Sequence, residues 1–136
     1  MVKQIWLNLP VKNVEKSKAF FTEIGFSFNE KHDTASYTCM VVGENNFAVM
    51  LFEEKQFESC ILNKIADTTI GSEVLISIDA QSREEVDEFA KKVQGAGGNV
   101  FAEPAENEGW MYGCGFADLD GHRWNVLYMD LSKLPK

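Results

Sequence analysis

Few side chains in this sequence have the type and placement that chemistry needs. Glu73 opens a strand-like run, where a carboxylate shielded from water would hold its proton tightly and act as a general base or hydrogen-bond acceptor. At a strand end in solvent the same group would do neither. Cys114 would be a nucleophile only beside a base, and none adjoins it in sequence, so a small buried apolar role competes with that reading. Asn8 and Asn125 offer amides that orient a ligand carbonyl or hydroxyl, or that satisfy backbone groups. Trp6, Trp110 and Tyr112 supply faces for stacking on a planar ligand, or fill a half-open sheet. Asp118 and Asp120 lack the further spacing of a calcium loop and read as a hairpin turn. The glycines of Gly95-Ala96-Gly97-Gly98 end a helix, where a phosphate cradle would open one.

The elements that must hold these residues follow from periodicity. Ile5 to Val11 alternates as a strand, with Ile5, Leu7, Leu9 and Val11 on the buried face and Trp6, Asn8 and Pro10 on the other. Asn13 caps a helix whose apolar stripe includes Val14, Phe20, Phe21 and Ile24, and Gly25 ends it. Phe26 to Glu30, Ser36 to Val42 and Phe47 to Phe52 supply three strands. Residues 54–71 connect, with Phe57, Ile61 and Ile65 as the buried face of a helix or irregular segment. The order then repeats. Val74 to Ile78 is a strand, and Ser82-Arg83-Glu84-Glu85 is a capping box opening a helix that buries Val86, Phe89, Ala90 and Val93. Asn99 to Glu103, Trp110 to Ala117 and His122 to Met129 are strands. Matching elements recur at offsets of 67–69 residues, as from Val11 to Ile78 and from Phe20 to Phe89. The chain is therefore an α+β fold of two βαβββ modules, 1–53 and 72–130, within one domain spanning residues 1–136.

Composition narrows the function. The 136 residues are 45% hydrophobic and 25% charged, an ordinary globular balance. Thirteen Lys and Arg against 21 Asp and Glu give a net charge of −8, which argues against nucleic acid and is compatible with a cationic guest. No run approaches the roughly 18 apolar residues of a membrane helix, and Met1-Val2-Lys3-Gln4 opens no signal peptide, so the expected location is cytoplasmic. Cys39, Cys60 and Cys114 have no metal-type spacing and are expected as reduced thiols.

Several motifs point to one family. Asn8-Leu9-Pro10-Val11-Lys12-Asn13-Val14-Glu15-Lys16-Ser17, Phe20-Phe21 with Gly25-Phe26, Met111-Tyr112-Gly113, and Asp118-Leu119-Asp120-Gly121-His122 with Trp124 resemble the vicinal oxygen chelate superfamily. That superfamily includes glyoxalase I, extradiol dioxygenases, fosfomycin-modifying enzymes and bleomycin-resistance proteins; the likeness is nearest to bacterial predicted lactoylglutathione lyases. The resemblance implies curved mixed sheets forming a cup around a small-molecule site, and a homodimer. It also implies one metal ligand on each of four strands, at Trp6, on or beside Leu51, at Glu73 and at Asn125. Indole and isobutyl groups do not ligate a divalent cation, so the standard metal centre is expected to be lost and no cofactor is expected.

With residues 118–121 closing the last hairpin, Phe116 meets Arg123, Cys114 meets Asn125 and Tyr112 meets Leu127. The expected ligand-binding set is then Trp6, Asn8, Glu73, Tyr112, Cys114 and Asn125. Three readings remain open. One is a metal-free small-molecule binder. Another is a lyase or isomerase acting on a small oxygenated or glutathione-conjugated substrate, with Glu73 as proton shuttle and its pKa raised by burial. The third is a metal returned to the site by Glu73 and Asn125 with ligands from a dimer partner or the substrate.

Overall fold

A computed structural model describes residues 1–134. The chain forms two compact units, Met1–Asp67 and Thr68–Lys136. In the first, β1 (Trp6–Val11), α1 (Val14–Glu23), β2 (Ser27–Phe28), β3 (Tyr37–Val42), β4 (Phe47–Glu53) and α2 (Glu54–Ile61) follow in order. The second contains β5 (Leu75–Asp79), α3 (Arg83–Gly95), β6 (Asn99–Asn107), β7 (Met111–Ala117) and β8 (Arg123–Met129). Each sheet has four strands, ordered β1-β4-β3-β2 and β5-β8-β7-β6. In each, the first pair is parallel and the rest are antiparallel. The expected α+β fold of two βαβββ modules is present.

The first unit is built by alternation. Leu9 and Val11 of β1, Met40 of β3, and Val49 and Leu51 of β4 are buried together with Val14, Phe20 and Phe21 of α1. The Asn13 side chain accepts a hydrogen bond from the Lys16 amide at 2.9 Å, which sets where α1 begins. Gly25, at φ 110°, turns the chain out of the helix, and Phe26 meets Phe21 edge-on at 5.7 Å. Ile5 does not join the buried face. It precedes β1 and is exposed. Pro10 sits on an edge strand, where its missing amide hydrogen costs no ladder bond.

The connector divides between the units. Residue by residue α2 buries nothing fully, and Ile61 is exposed where a buried face was expected; Phe57 and Ile65 are half-buried. Thr68 donates its hydroxyl to the Asp120 carbonyl at 2.7 Å, which ties the start of the second unit to the β7–β8 turn.

In the second unit, Ser82 caps α3 by accepting from the Glu85 amide at 3.1 Å, and the Glu85 carboxylate accepts from the Gln81 amide. Val86, Ala90 and Val93 are buried, and Phe89 lies 5.7 Å from Phe116. Phe116 in turn stacks on Trp124 with the rings 5.9 Å apart.

The β7–β8 register corrects the expected one. Ala117 pairs with Arg123, Phe116 with Trp124, Gly115 with Asn125 and Gly113 with Leu127. Five residues, Asp118 to His122, close this hairpin in place of four. Asp118 is the cause. Its buried carboxylate accepts from the Asp120 and His122 amides, both at 3.0 Å, and from the Trp124 indole at 3.2 Å. Satisfying these three donors around one carboxylate takes the extra residue into the turn. A one-residue slip sends every side chain on the strand to the other face.

Candidate functional site

Each sheet has one face against a helix and one open face. In the first unit the open face carries Trp6, Asn8 and Pro10 of β1, paired with Ala48, Met50 and Phe52 of β4. Those in turn face Val41, Cys39 and Tyr37 of β3. This face forms a hollow of about 810 Å³ with Trp6, Tyr37 and Phe52 as its walls and Cys39 and Met50 on its floor, and Phe28 of β2, which pairs with Met40, borders it at the sheet edge. Tyr37 and Phe52 hold each other as a tilted pair 5.6 Å apart. Trp6 is 55% exposed, so its indole is available to stack on a guest. The polar side chains that line the hollow are Ser27, Asn29, Asn46, and the Tyr37 hydroxyl at the wall. Among the described residues that line it, none carries a formal charge at neutral pH. Cys39 is buried, and burial together with the nearby Asp33 carboxylate pushes its thiol pKa up, so the floor stays neutral.

In the second unit the open face carries Leu75, Ser77 and Asp79 of β5, paired with Arg123, Asn125 and Leu127 of β8. Gly115 and Gly113 of β7 complete these rows. A smaller hollow of about 320 Å³ is lined by Asn125, Leu127, Gly113 and Gly115, with Glu103 and Glu106 at its side. Glu106 is ion-paired with Arg83 at 2.7 Å. The Arg123 guanidinium lies over the Phe101 ring, 4.2 Å from its centre.

The expected site residues fall on both units, Trp6 and Asn8 on the first and Glu73, Tyr112, Cys114 and Asn125 on the second. Trp6 and Asn8 share the open face of the first sheet, and Asn8 is exposed on the row between Trp6 and Pro10. Asn125 lies on the open face of the second sheet. Tyr112 and Cys114 were expected to pair across the hairpin on the face of Asn125, but the register turns their side chains to the helix side, and Cys114 only borders the hollow that Asn125 lines. Tyr112 donates its hydroxyl to Asp87 of α3 at 2.6 Å, and Cys114 is buried with its pKa pushed up to about 11, first by desolvation. Glu73 is also corrected. It lies two residues ahead of β5 and is exposed, so the burial on which its general-base role rested is not there. Tyr37, Phe52, Phe28, Cys39 and Met50 went unnoticed in the sequence. The alternation of Tyr37, Cys39 and Val41 against buried Thr38 and Met40 was the signal that could have found them.

The four strand positions at which the fold family implies a metal do not fit one. Trp6 has no lone pair to give, and Leu51 is fully buried on the helix side. The open-face residue beside it is Met50, a soft thioether that hard divalent cations do not favour. Glu73 and Asn125 leave one carboxylate and one amide. Among the described residues no group of three or more His, Cys, Asp or Glu side chains is placed to hold a metal ion.

Two repeated βαβββ units, each with a four-stranded mixed sheet bearing one open face, define a fold class rather than a single activity. Residues 3–43 match the family described as bleomycin resistance protein-like N-terminal. The hypothetical protein SA1046 from S. aureus is 35% identical over 94% of this chain and 95% of its own, with a TM-score of 0.85. A glyoxalase/bleomycin resistance protein/dioxygenase family enzyme from Burkholderia phytofirmans PsJN superposes with a TM-score of 0.77 at 15% identity, over 91% of this chain and 96% of its own. The fosfomycin resistance protein FosX from Listeria monocytogenes, complexed with Mn(II) and 1S,2S-dihydroxypropylphosphonic acid, gives 0.70 at 19% identity, over 97% and 96%. Among curated proteins nothing matches the chain. This protein belongs to the glyoxalase/bleomycin resistance/dioxygenase family, the vicinal oxygen chelate superfamily.

Proposed function

We propose that this protein binds a small molecule on the open sheet face of its first unit, without the glyoxalase-type metal centre. The observation that supports this most is the hollow of about 810 Å³ walled by Trp6, Tyr37 and Phe52, a size and lining typical of small-ligand sites. Binding here needs no metal, because stacking and apolar burial supply the affinity. A lyase or isomerase mechanism would need a positioned base. Its candidate, Glu73, is exposed ahead of β5 and has no packing to orient it. Dimerisation also belongs to this reading. The edge strand β5 exposes Leu75, and exposed Ile5 and Val74 lie just ahead of β1 and β5, apolar surface that a second copy would cover while leaving the hollow open.

Elemental analysis of protein purified without a tag, together with a thermal-shift screen of small molecules, tests the reading. The expected result is no stoichiometric nickel, zinc or manganese, and stabilising ligands whose effect is lost in Trp6→Ala. A metal-to-chain ratio near one, or stabilisation unchanged in Trp6→Ala, would overturn it.

A further inference from the structure

The chemistry of the first unit's open face restricts what it can hold, and the following rests on the small-molecule reading above. We propose that the ligand is an uncharged, planar aromatic molecule, lying against Trp6 and the Tyr37–Phe52 pair with its polar edge toward the amides and hydroxyls of the rim. Three independent observations support it.

The first is the absence of formal charge on the lining. A quarter of this chain's residues are charged, yet the lining of the hollow among the described residues includes none. An ionic ligand that leaves water for this face finds no charged side chain on the lining, and the nearest cation, Lys18 over the Phe28 ring at 5.7 Å, is already ion-paired with Asp33 and Glu30. The ligand's desolvation cost then goes uncompensated, which penalises cations and anions alike. The chain's net charge of −8 adds a further penalty for anions. A phosphonate and a divalent metal, the two components of the Listeria FosX complex, find neither a cation nor a ligand set on this lining.

The second is the shape of the walls. Tyr37 and Phe52 brace each other at 5.6 Å, while Trp6 projects from the edge strand at 55% exposure. A braced pair on one side and an uncommitted indole on the other make surfaces for ring stacking, which flexible aliphatic guests do not use. The third is the floor. Met50 of β4 lies opposite Cys39 of β3, so the guest rests on two polarisable sulfurs, atoms that favour contact with aromatic rings. The hydrogen-bonding groups, Ser27, Asn29 and Asn46, are neutral donors and acceptors suited to a carbonyl, hydroxyl or ring nitrogen.

Three probes of one shape test the charge rule: 2-naphthamide, 2-naphthoate and 2-naphthylmethylammonium, titrated calorimetrically into the full chain. The amide is expected to bind on the order of tenfold or more tightly than either ion. Trp6→Lys, at an exposed edge position that tolerates substitution, is expected to weaken the amide and raise the affinity for naphthoate. Equal or tighter binding of either ion to the native chain overturns the inference while leaving small-molecule binding intact. An unchanged order of affinities in Trp6→Lys also overturns it, by removing the guest from this face. Failure of all three probes, with circular dichroism showing a folded chain, overturns the small-molecule reading and this inference with it. Amide binding that disappears as the chain self-associates assigns the face to a second copy and has the same effect.

Discussion

The ring of Phe101 stands over Gly115. A β-carbon on Gly115 would lie 2.6 Å from two of the ring's carbons, closer than real contacts allow. A side chain at 115 therefore has to displace the Phe101 ring, which also carries the Arg123 guanidinium 4.2 Å from its centre. We expect Gly115→Ala to destabilise the second unit by about 1–3 kcal/mol, the usual cost of forcing atoms into an occupied space. Gly71→Ala is the control, since nothing lies within 4 Å of its added carbon. Urea denaturation of the two variants should separate them clearly. Equal midpoints would mean that Phe101 does not occupy this place.

Tyr112 gives a test of which way β7 faces. Its hydroxyl reaches Asp87 on α3 at 2.6 Å, and the Arg83 guanidinium lies 5.3 Å from its ring centre. Hydrogen bonding to Asp87 pushes the Tyr112 pKa up, because the ionised phenolate would lose that donation. Tyr112→Phe should lower the denaturation midpoint and leave ligand affinity unchanged. A loss of affinity with stability intact would restore Tyr112 to the ligand face and count against the register described here.

Much of the architecture was legible because it depends on local signals. Asn13, Ser82 and the glycines at positions 25 and 97 mark helix ends through their own side chains or positive φ, and alternation marked β1 without any knowledge of its partners. The site was less legible, and one turn explains much of that. Whether Asp118 closes four residues or five depends on Trp124 reaching its carboxylate, a contact set by packing of the indole on Phe116. No local rule registers that contact, and the slip turns the side chains of Tyr112 and Cys114 to the face opposite that of Asn125. Glu73 failed for a different reason. Strand propensity begins near it, but pairing with β8 begins only at Leu75, so nothing covers the carboxylate.

Two aspartates should leave opposite marks on the pH dependence of stability. Lys18 and the Thr38 hydroxyl both donate to Asp33, and the Lys18 bond holds its pKa below the usual carboxylate value. A lowered folded pKa gives stability that is present above the unfolded value and is lost as pH falls through the folded one. Asp118 is the reverse. Burial pushes its pKa up against the opposing pull of His122, the Trp124 indole and two backbone amides. Its contribution is full below the unfolded value and declines as pH rises through the folded one. The stability difference between the native chain and Asp33→Asn should therefore grow from about pH 3 to about pH 7, and that for Asp118→Asn should shrink. Denaturation midpoints at several pH values read both slopes. Slopes of the same sign would contradict one of the two environments.

The three thiols provide the sharpest test of whether this chain does covalent chemistry. A nucleophilic cysteine needs a stabilised thiolate and access to its target. Cys114 has neither, being buried behind β7 with its pKa pushed to about 11 by desolvation and then by the Glu103 and Asp87 carboxylates. Cys39 is buried under the aromatic hollow, and burial and Asp33 push its pKa up as well. Cys60 is exposed on α2. A chromogenic thiol reagent near pH 8 should therefore consume one equivalent quickly and two only on unfolding, and Cys60→Ser should abolish the fast phase. A ligand in the hollow should slow Cys39 further, since the guest would sit on its sulfur, and should leave Cys60 untouched. A fast phase that survives Cys60→Ser and disappears in Cys114→Ser would identify an activated thiol on the helix side, and would return an enzymatic role to the second unit.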